Sequence, residues 1–264
     1  MNKFTVGCDP EIFLKKSGGF IASCGLVGGS KQSPLQLENL PEGFNVQEDN
    51  VAVEFGVPPA IDKFTFTQNI HTIMEELTGL MLQKGLSLGN ESSALFPKEE
   101  LWHPNALTFG CDPDFNIWTE RKNPRPRAAD ETLRSCGGHV HVGLEKGYNW
   151  RKLVKTLDLY LGVPSVLLDD DARRKELYGQ SGAFRKKPYG IEYRTLSNFW
   201  VFKPELTEWV WDAVEQSVNA VDAQFPIEEL QEPIQTAINT NNKELALTLV
   251  NKYNLPYVKE LSHV

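Results

Sequence analysis

The segment Gly137-Gly138-His139-Val140-His141-Val142 constrains this 264-residue chain more than any other. Side chains alternate between the two faces of a β-strand, so this order puts His139 and His141 on one face and Val140 and Val142 on the other. A fold that uses the strand needs an apolar layer under the valines. Above the histidines it needs metal, phosphate or solvent. The two preceding glycines allow a neighbouring backbone or a ligand to approach closely. Taken by itself, the motif fits a pair of ordinary sheet histidines equally well.

Bulk properties narrow the classes. The chain is 41% hydrophobic and 23% charged, enough apolar material for a sizeable core. A net charge of −8 argues against non-specific binding to nucleic acid or to an anionic membrane surface. It leaves an anionic small-molecule substrate open, because bound metal can invert the local charge. Cys8, Cys24, Cys111 and Cys136 form no C-x-x-C pair, which excludes a zinc knuckle or redox dithiol and fits reduced thiols in the cytoplasm. No signal peptide and no apolar run near ~18 residues is visible, so a cytoplasmic protein without a membrane span is expected.

The first two-thirds of the sequence read as short strands punctuated by glycine and proline. Strand-like runs lie at Phe4–Asp9, Glu11–Leu14, Phe20–Ala22, Val51–Phe55, Leu107–Gly110 and Glu192–Phe199, with Pro10 permitting only an edge or bulged continuation. Apolar residues at helical spacing predict helices at 66–85, 150–161, 206–221, 227–239 and 242–253. The run Arg121 to Arg127 is basic and proline-rich and reads as a surface loop, with a mobile lid as the alternative. Residues 179–190 read as a glycine-punctuated basic loop. Gly-Cys-Asp-Pro-acid occurs twice, at 7–11 and 110–114, which leaves a role for Asp112 and Asp114 undecided.

Other segments repeat the design of the histidine strand. Asp9 and Glu11, like Glu192 and Arg194, stand two residues apart, and Glu54 sits alone between Val53 and Phe55. If these strands are neighbours, one face collects carboxylates, imidazoles and an arginine. Such a face is unfavourable if dry and unpaired, and sensible as a bowl for divalent cations. Carboxylates with one or two imidazoles suit Mg²⁺ or Mn²⁺. Arg185 and Arg194 add rigid forks for phosphate or carboxylate, which points to phosphoryl chemistry. Lys31, in a glycine-rich loop, and Arg134, just before the histidine motif, are further candidates for contact with phosphate, or else a solvated lysine and an ion-pair partner. There is no P-loop and no Rossmann fingerprint.

Gly7-Cys8-Asp9-Pro10-Glu11, Glu54, Gly137-Gly138-His139-Val140-His141, Gly182-Ala183-Phe184-Arg185 and Glu192-Tyr193-Arg194, in that order, resemble the phage-type COOH–NH2 ligases of the glutamine synthetase / glutamate–cysteine ligase superfamily. The resemblance spans about residues 4 to 200. It implies an α+β, glutamine-synthetase-like catalytic fold with a curved, mostly antiparallel sheet, outer helices and a helical C-terminal tail. It also implies ATP-dependent amide formation through an acyl phosphate. Carried over residue by residue, Asp9, Glu11, Glu54, His139 and Glu192 would bind metal. His141 would face the nucleotide phosphates, and Arg185 and Arg194 would neutralise the transferring phosphoryl group. Asp49 or Glu48 would supply a further ligand.

The expected organisation is a catalytic core over 1–204 with a helical extension over 205–264 packed on it as a single domain. The expected partners are small-molecule or peptide carboxylates and amines, with a homo-oligomer open. A metal-dependent hydrolase or nuclease, or a non-catalytic nucleotide-binding module, would use the same residues differently.

Overall fold

The computed structural model describes residues 4–107, 114–124, 126 and 129–262. Strands β1 (Phe4–Cys8) and β2 (Glu11–Ile12) lie on either side of Asp9-Pro10 and belong to different sheets. Proline has no N–H for a ladder and fixes its own φ, so the strand does not run on. The break passes the chain from one sheet to the next, where the sequence suggests an edge or bulged continuation of the strand. Strands β3 (Leu35–Gln36), β4 (Asn45–Asp49) and β5 (Ala52–Gly56) follow, then helix α1 (Lys63–Gln83), β6 (Phe115–Asn116), β7 (Arg121–Lys122) and β8 (Val140–Leu144). Helices α2 (Trp150–Leu157) and α3 (Val163–Leu168) precede the hairpin of β9 (Ala183–Lys187) and β10 (Gly190–Tyr193). Helices α4 (Pro204–Asp222), α5 (Gln231–Asn239) and α6 (Lys243–Tyr253) close the chain.

The architecture is α+β with antiparallel sheets. One sheet runs in the order β1-β8-β10-β9-β6-β7, and a second in the order β2-β5-β4-β3. Two smaller sheets pair Ser93–Leu95 with Leu133–Ser135, and Leu14–Lys16 with both Gly19–Ile21 and Ser87–Leu88. Residues 183–187 form a strand and not a loop: Arg185 lies opposite Glu192 in the ladder, and Phe184 is buried. Within the proline-rich basic run, Arg121–Lys122 pairs with β6, while Arg125 and Arg127 lie outside the described residues. Gly110, Cys111 and Asp112 of the second Gly-Cys-Asp-Pro echo also lie outside them.

Val140, Val142, Ile191 and Tyr193 are fully buried, as the alternation requires. They share a core with Phe66, Ile70 and Ile73 of α1, with Val210, Trp211 and Val214 of α4, and with Trp200. Burial at ~25 cal/mol per Å² of apolar surface makes this layer the main support of the histidine strand. Helix α1 starts at Lys63, earlier than its apolar stripe suggests. The Asp62 side chain caps it by accepting from the Thr65 N–H at 2.8 Å. The segment after Pro204 divides. Helix α4 is part of the central core, whereas α5 and α6 pack with α3 around Val163, Val166, Ile234, Ile238 and Leu249.

The helix expected at 150–161 continues further and widens. Residues 158–162 form a π-turn before α3, whose second residue is Pro164. Proline cannot donate to the preceding turn, so the backbone opens there. The fully buried Asp158 sits in this turn. It accepts from Trp118 Nε1 at 2.6 Å, Ser181 Oγ at 2.6 Å and Tyr193 Oη at 2.7 Å. One carboxylate thus fastens the start of β9, the end of β10 and residue 118 to the helical layer. Among the described residues no helix is long and apolar enough to cross a membrane.

Replacing Asp158 by Ala leaves three donors without their acceptor. Urea denaturation should show a loss of about 3 kcal/mol or more, the size expected for a broken buried network.

Candidate active site

Two rows of side chains, one on each main sheet, build the site. In the larger sheet Gly7 of β1, His141 of β8, Glu192 of β10 and Arg185 of β9 are successive ladder partners. Directly opposed residues project from the same face, so His141, Glu192 and Arg185 stand side by side. In the second sheet Glu11 of β2, Glu54 of β5 and Gln47 of β4 are opposed in the same way. The glycines before His139 join the rows. The Glu11 N–H donates to Gly137 O at 2.8 Å, and the Gly137 N–H donates to Glu11 Oε2 at 2.6 Å. Neither glycine tolerates a side chain. A Cβ on Gly137 would strike the His139 ring, and one on Gly138 would strike the Ser197 carbonyl and the Trp200 ring nitrogen.

The Pro10 break delivers Asp9 to the first row and Glu11 to the second. Asp9, His141 and Glu192 offer ligand atoms all within 4.8 Å of one another, and so do Glu11, Asp49 and Glu54. These oxygen-rich sets, one with an imidazole, have the composition of divalent-cation sites for Mg²⁺ or Mn²⁺. His141 Nε2 lies 3.1 Å from Asp9 Oδ2. His139, almost fully buried, places Nδ1 3.1 Å from Asp9 Oδ1, 3.2 Å from Arg194 Nη1 and 3.8 Å from Glu192 Oε1. Arg194 Nη1 donates to Glu192 Oε1, which Arg185 Nη1 also approaches at 3.4 Å. Lys187 Nζ is 2.7 Å from Glu192 Oε2.

Charge divides the two groups. Burial and Asp9 push the Glu192 carboxyl up, but Arg194, His139 and Arg185 outweigh them and bring it down to about 2. Asp9 is held well below the usual carboxylate range against its burial, chiefly by His141 and His139. Burial and Arg194 lower His139 to about 4. In the second group compensation falls short: the Gly137 N–H and the charges of Arg194 and Arg174 draw Glu11 down, but less than its surroundings push it up. Burial and the charge of Asp49 raise Glu11 to about 7, and burial with Asp9, Glu11 and Asp49 raises Glu54 well above its ordinary value. Carboxylates raised by one another in this way fit a site that a divalent cation would neutralise.

The remaining candidates are distributed as follows. A small cavity of about 70 Å³ is lined by Glu11, Lys31, Asp49, Arg134, His139, Arg185 and Arg194, among others. Lys31 is exposed at its edge. Arg134 is buried and donates to the carbonyls of Glu131, Leu133 and Ala106. Of the two acids proposed beside Glu54, Asp49 faces it. Glu48 turns the other way and accepts from the N–H groups of Gly25, Val27 and Gly28. Asp114 lies with Oδ2 3.7 Å from Arg194 Nε, while Asp112 is outside the described residues.

Three residues escape the sequence reading. Arg174 is buried in the cavity wall, donating to Cys136 O at 2.9 Å and Thr195 O at 3.0 Å. Its polar run, Arg173-Arg174-Lys175-Glu176, has the pattern of solvated surface. Lys187 and Tyr189 belong to the hairpin that reads as a loop. The Tyr189 hydroxyl is 2.9 Å from His141 Nδ1.

Residues 131–254 match the family model described as phage phiEco32-like COOH.NH2 ligase-type 2. This is the family that the ordered motifs resemble. The match includes His139, His141, Arg185, Glu192 and Arg194. Among solved structures, apo GmaS without ligand aligns with a TM-score of 0.42 at 12% identity, over 98% of this chain and 71% of that one. A novel glutamine synthase homolog aligns with a TM-score of 0.39 at 11% identity, over 95% and 66%. No curated protein matches.

The raised carboxyls set a pH dependence. Between their ordinary value near 4.5 and about 7, Glu11 keeps its proton in the folded chain and loses it in the unfolded one. At Glu11 the folded state then binds more protons, so the contribution of this group to metal-free stability falls as pH rises through that window, while His139, lowered to about 4, contributes in the opposite sense. Thermal unfolding in chelator, compared between the wild type and Glu11→Gln, isolates the Glu11 contribution. Glu11→Gln should raise Tm by a few degrees relative to the wild type above neutral pH, with no gain at acid pH.

Proposed function

We propose that this chain, which carries the COOH.NH2 ligase family match over residues 131–254, is a carboxylate–amine ligase that uses ATP with Mg²⁺ or Mn²⁺. One observation carries the reading: two acidic groups with cation-ligand geometry lie in one bowl, and Arg185 and Arg194 bear on the carboxylate of one of them.

Asp9, His141 and Glu192 would hold one ion and Glu11, Asp49 and Glu54 another; this moves His141 from the phosphate-facing role that the resemblance implies to the ion, with His139, the ligand that the resemblance implies, beside it against Asp9 and Glu192. Such ions supply charge neutralisation and orientation of phosphate oxygens. In the proposed reaction a substrate carboxylate oxygen attacks the γ-phosphorus, the bond to ADP breaks, and an amine then displaces phosphate from the acyl phosphate to give the amide. Two anions must meet in the first step. Arg185 and Arg194 offset that repulsion and the charge on the transferring group. Arg174, Arg134 and Lys31 add further cationic residues to the lining of the cavity. The acyl phosphate must be shielded from water, and the deep burial of His139, Glu192 and Arg194 favours that. Cys8, Cys24 and Cys136 are free thiols, which supports a reducing cytoplasm as the working compartment.

The test is ADP release from ATP and Mn²⁺ with a panel of carboxylates, using hydroxylamine as the amine. The expected result is ADP release that depends on the carboxylate, with formation of the matching hydroxamate. Nucleotide-independent cleavage of a substrate, or nucleotide binding without ADP release under any mixture, contradicts it. His139→Ala and Glu192→Ala should each abolish metal-dependent turnover in a chain that still folds. Arg194→Lys should lose about a hundredfold or more, because a point charge does not reproduce the guanidinium fork.

A further inference from the structure

The tip of the β9–β10 hairpin returns two side chains onto the Asp9/His141/Glu192 group. Lys187 ends β9, Pro188 and Tyr189 make the turn, and Gly190 opens β10. Tyr189 Oη lies 2.9 Å from His141 Nδ1, with the two rings 5.9 Å apart and tilted by 32°. Lys187 Nζ lies 2.7 Å from Glu192 Oε2. The arginines bear on the other oxygen, Oε1, so Oε2 is the one that Lys187 holds.

We infer that this hairpin tip sets cation affinity through two opposed contacts, an inference that rests on the cation reading of the bowl. Tyr189 is a positioning residue. An imidazole ligates through one bare nitrogen, and its other N–H needs an acceptor that fixes tautomer and ring orientation. With an ion on Nε2 the proton sits on Nδ1, and Tyr189 Oη, 2.9 Å away, is placed to accept it. Nε2 is therefore the nitrogen presented toward Asp9, 3.1 Å from its Oδ2. Lys187 acts in the other direction. Its ammonium is a point charge on a flexible stem, seated on a carboxylate oxygen of the ion's own ligand set. A divalent cation must move it aside, and the released ammonium is then placed to meet an anion that arrives with the ion.

Both side chains can be changed without opening the core. Tyr189 is 45% exposed, and the Lys187 side chain 31%. A merely structural hairpin would give both substitutions the same sign, and the inference gives them opposite signs. Mn²⁺ binding to the full chain is measured by calorimetry and by loss of the free-ion EPR signal, with thermal unfolding recorded alongside. Tyr189→Phe keeps the ring and loses the hydroxyl. It should weaken one class of Mn²⁺ site by about ten- to a hundredfold and leave the other class unchanged. Lys187→Gln should tighten the same class several-fold. Both variants should unfold close to the wild-type temperature. Unchanged affinity in Tyr189→Phe, or weaker binding in Lys187→Gln, overturns the inference while leaving the ligase reading intact. A wild-type chain that binds no Mn²⁺ overturns both.

Discussion

Mutual repulsion among buried carboxylates is the constraint around which this molecule is arranged. Asp9, Glu11, Asp49, Glu54 and Glu192 converge where two sheets meet, and hydrophobic burial elsewhere holds them there. The Val140/Val142 face, α1 and α4 form the layer that fixes the histidine strand. The Asp158 network ties the hairpin to the same layer. Without that support the acidic bowl would open, because the Gly137 N–H, Arg194 and Arg174 offset the charge of the second group only in part. A fold that keeps such a cluster intact stores electrostatic cost at the site where charge is used.

The two groups meet that cost differently. Asp9 and Glu192 are neutralised from within the protein by two histidines, two arginines and Lys187, and their protons are lost readily. Glu11 and Glu54 hold their protons to unusually high pH. On the proposed reading an added cation would relieve the second group by displacing those protons. The first already contains its counter-ions and must exchange some of them. Arginines beside a ligand carboxylate also bring a fixed positive wall next to any ion held there, which is the arrangement that a phosphoryl group needs on its two sides.

The parts of this arrangement legible in the sequence were those with local periodicity. Alternation exposed the histidine strand and its valine underside, and the same two-residue spacing exposed Glu192 with Arg194. The i, i+2 spacing of Asp9 and Glu11 marks a pair of acids but not a junction. Only the ladder shows that Pro10 sends them to different sheets. Residues 183–187 read as a loop because Lys186, Lys187 and Pro188 mask the buried Ala183 and Phe184. Arg174 and Asp158 were invisible for a different reason. Arg174 lies in a polar-looking run and Asp158 is a lone acid in an apolar one, and their partners are carbonyls and hydroxyls distant in sequence, such as Thr195 O and Tyr193 Oη. Local pattern carries no trace of such partners.

The most direct measurement is anomalous diffraction at the manganese edge from crystals grown with Mn²⁺ and a non-hydrolysable ATP analogue. The account requires one ion among Asp9, His141 and Glu192, a second among Glu11, Asp49 and Glu54, and the terminal phosphate of the analogue on the side of Arg185 and Arg194. Ordered manganese elsewhere on the chain, or nucleotide bound away from this bowl, would contradict it.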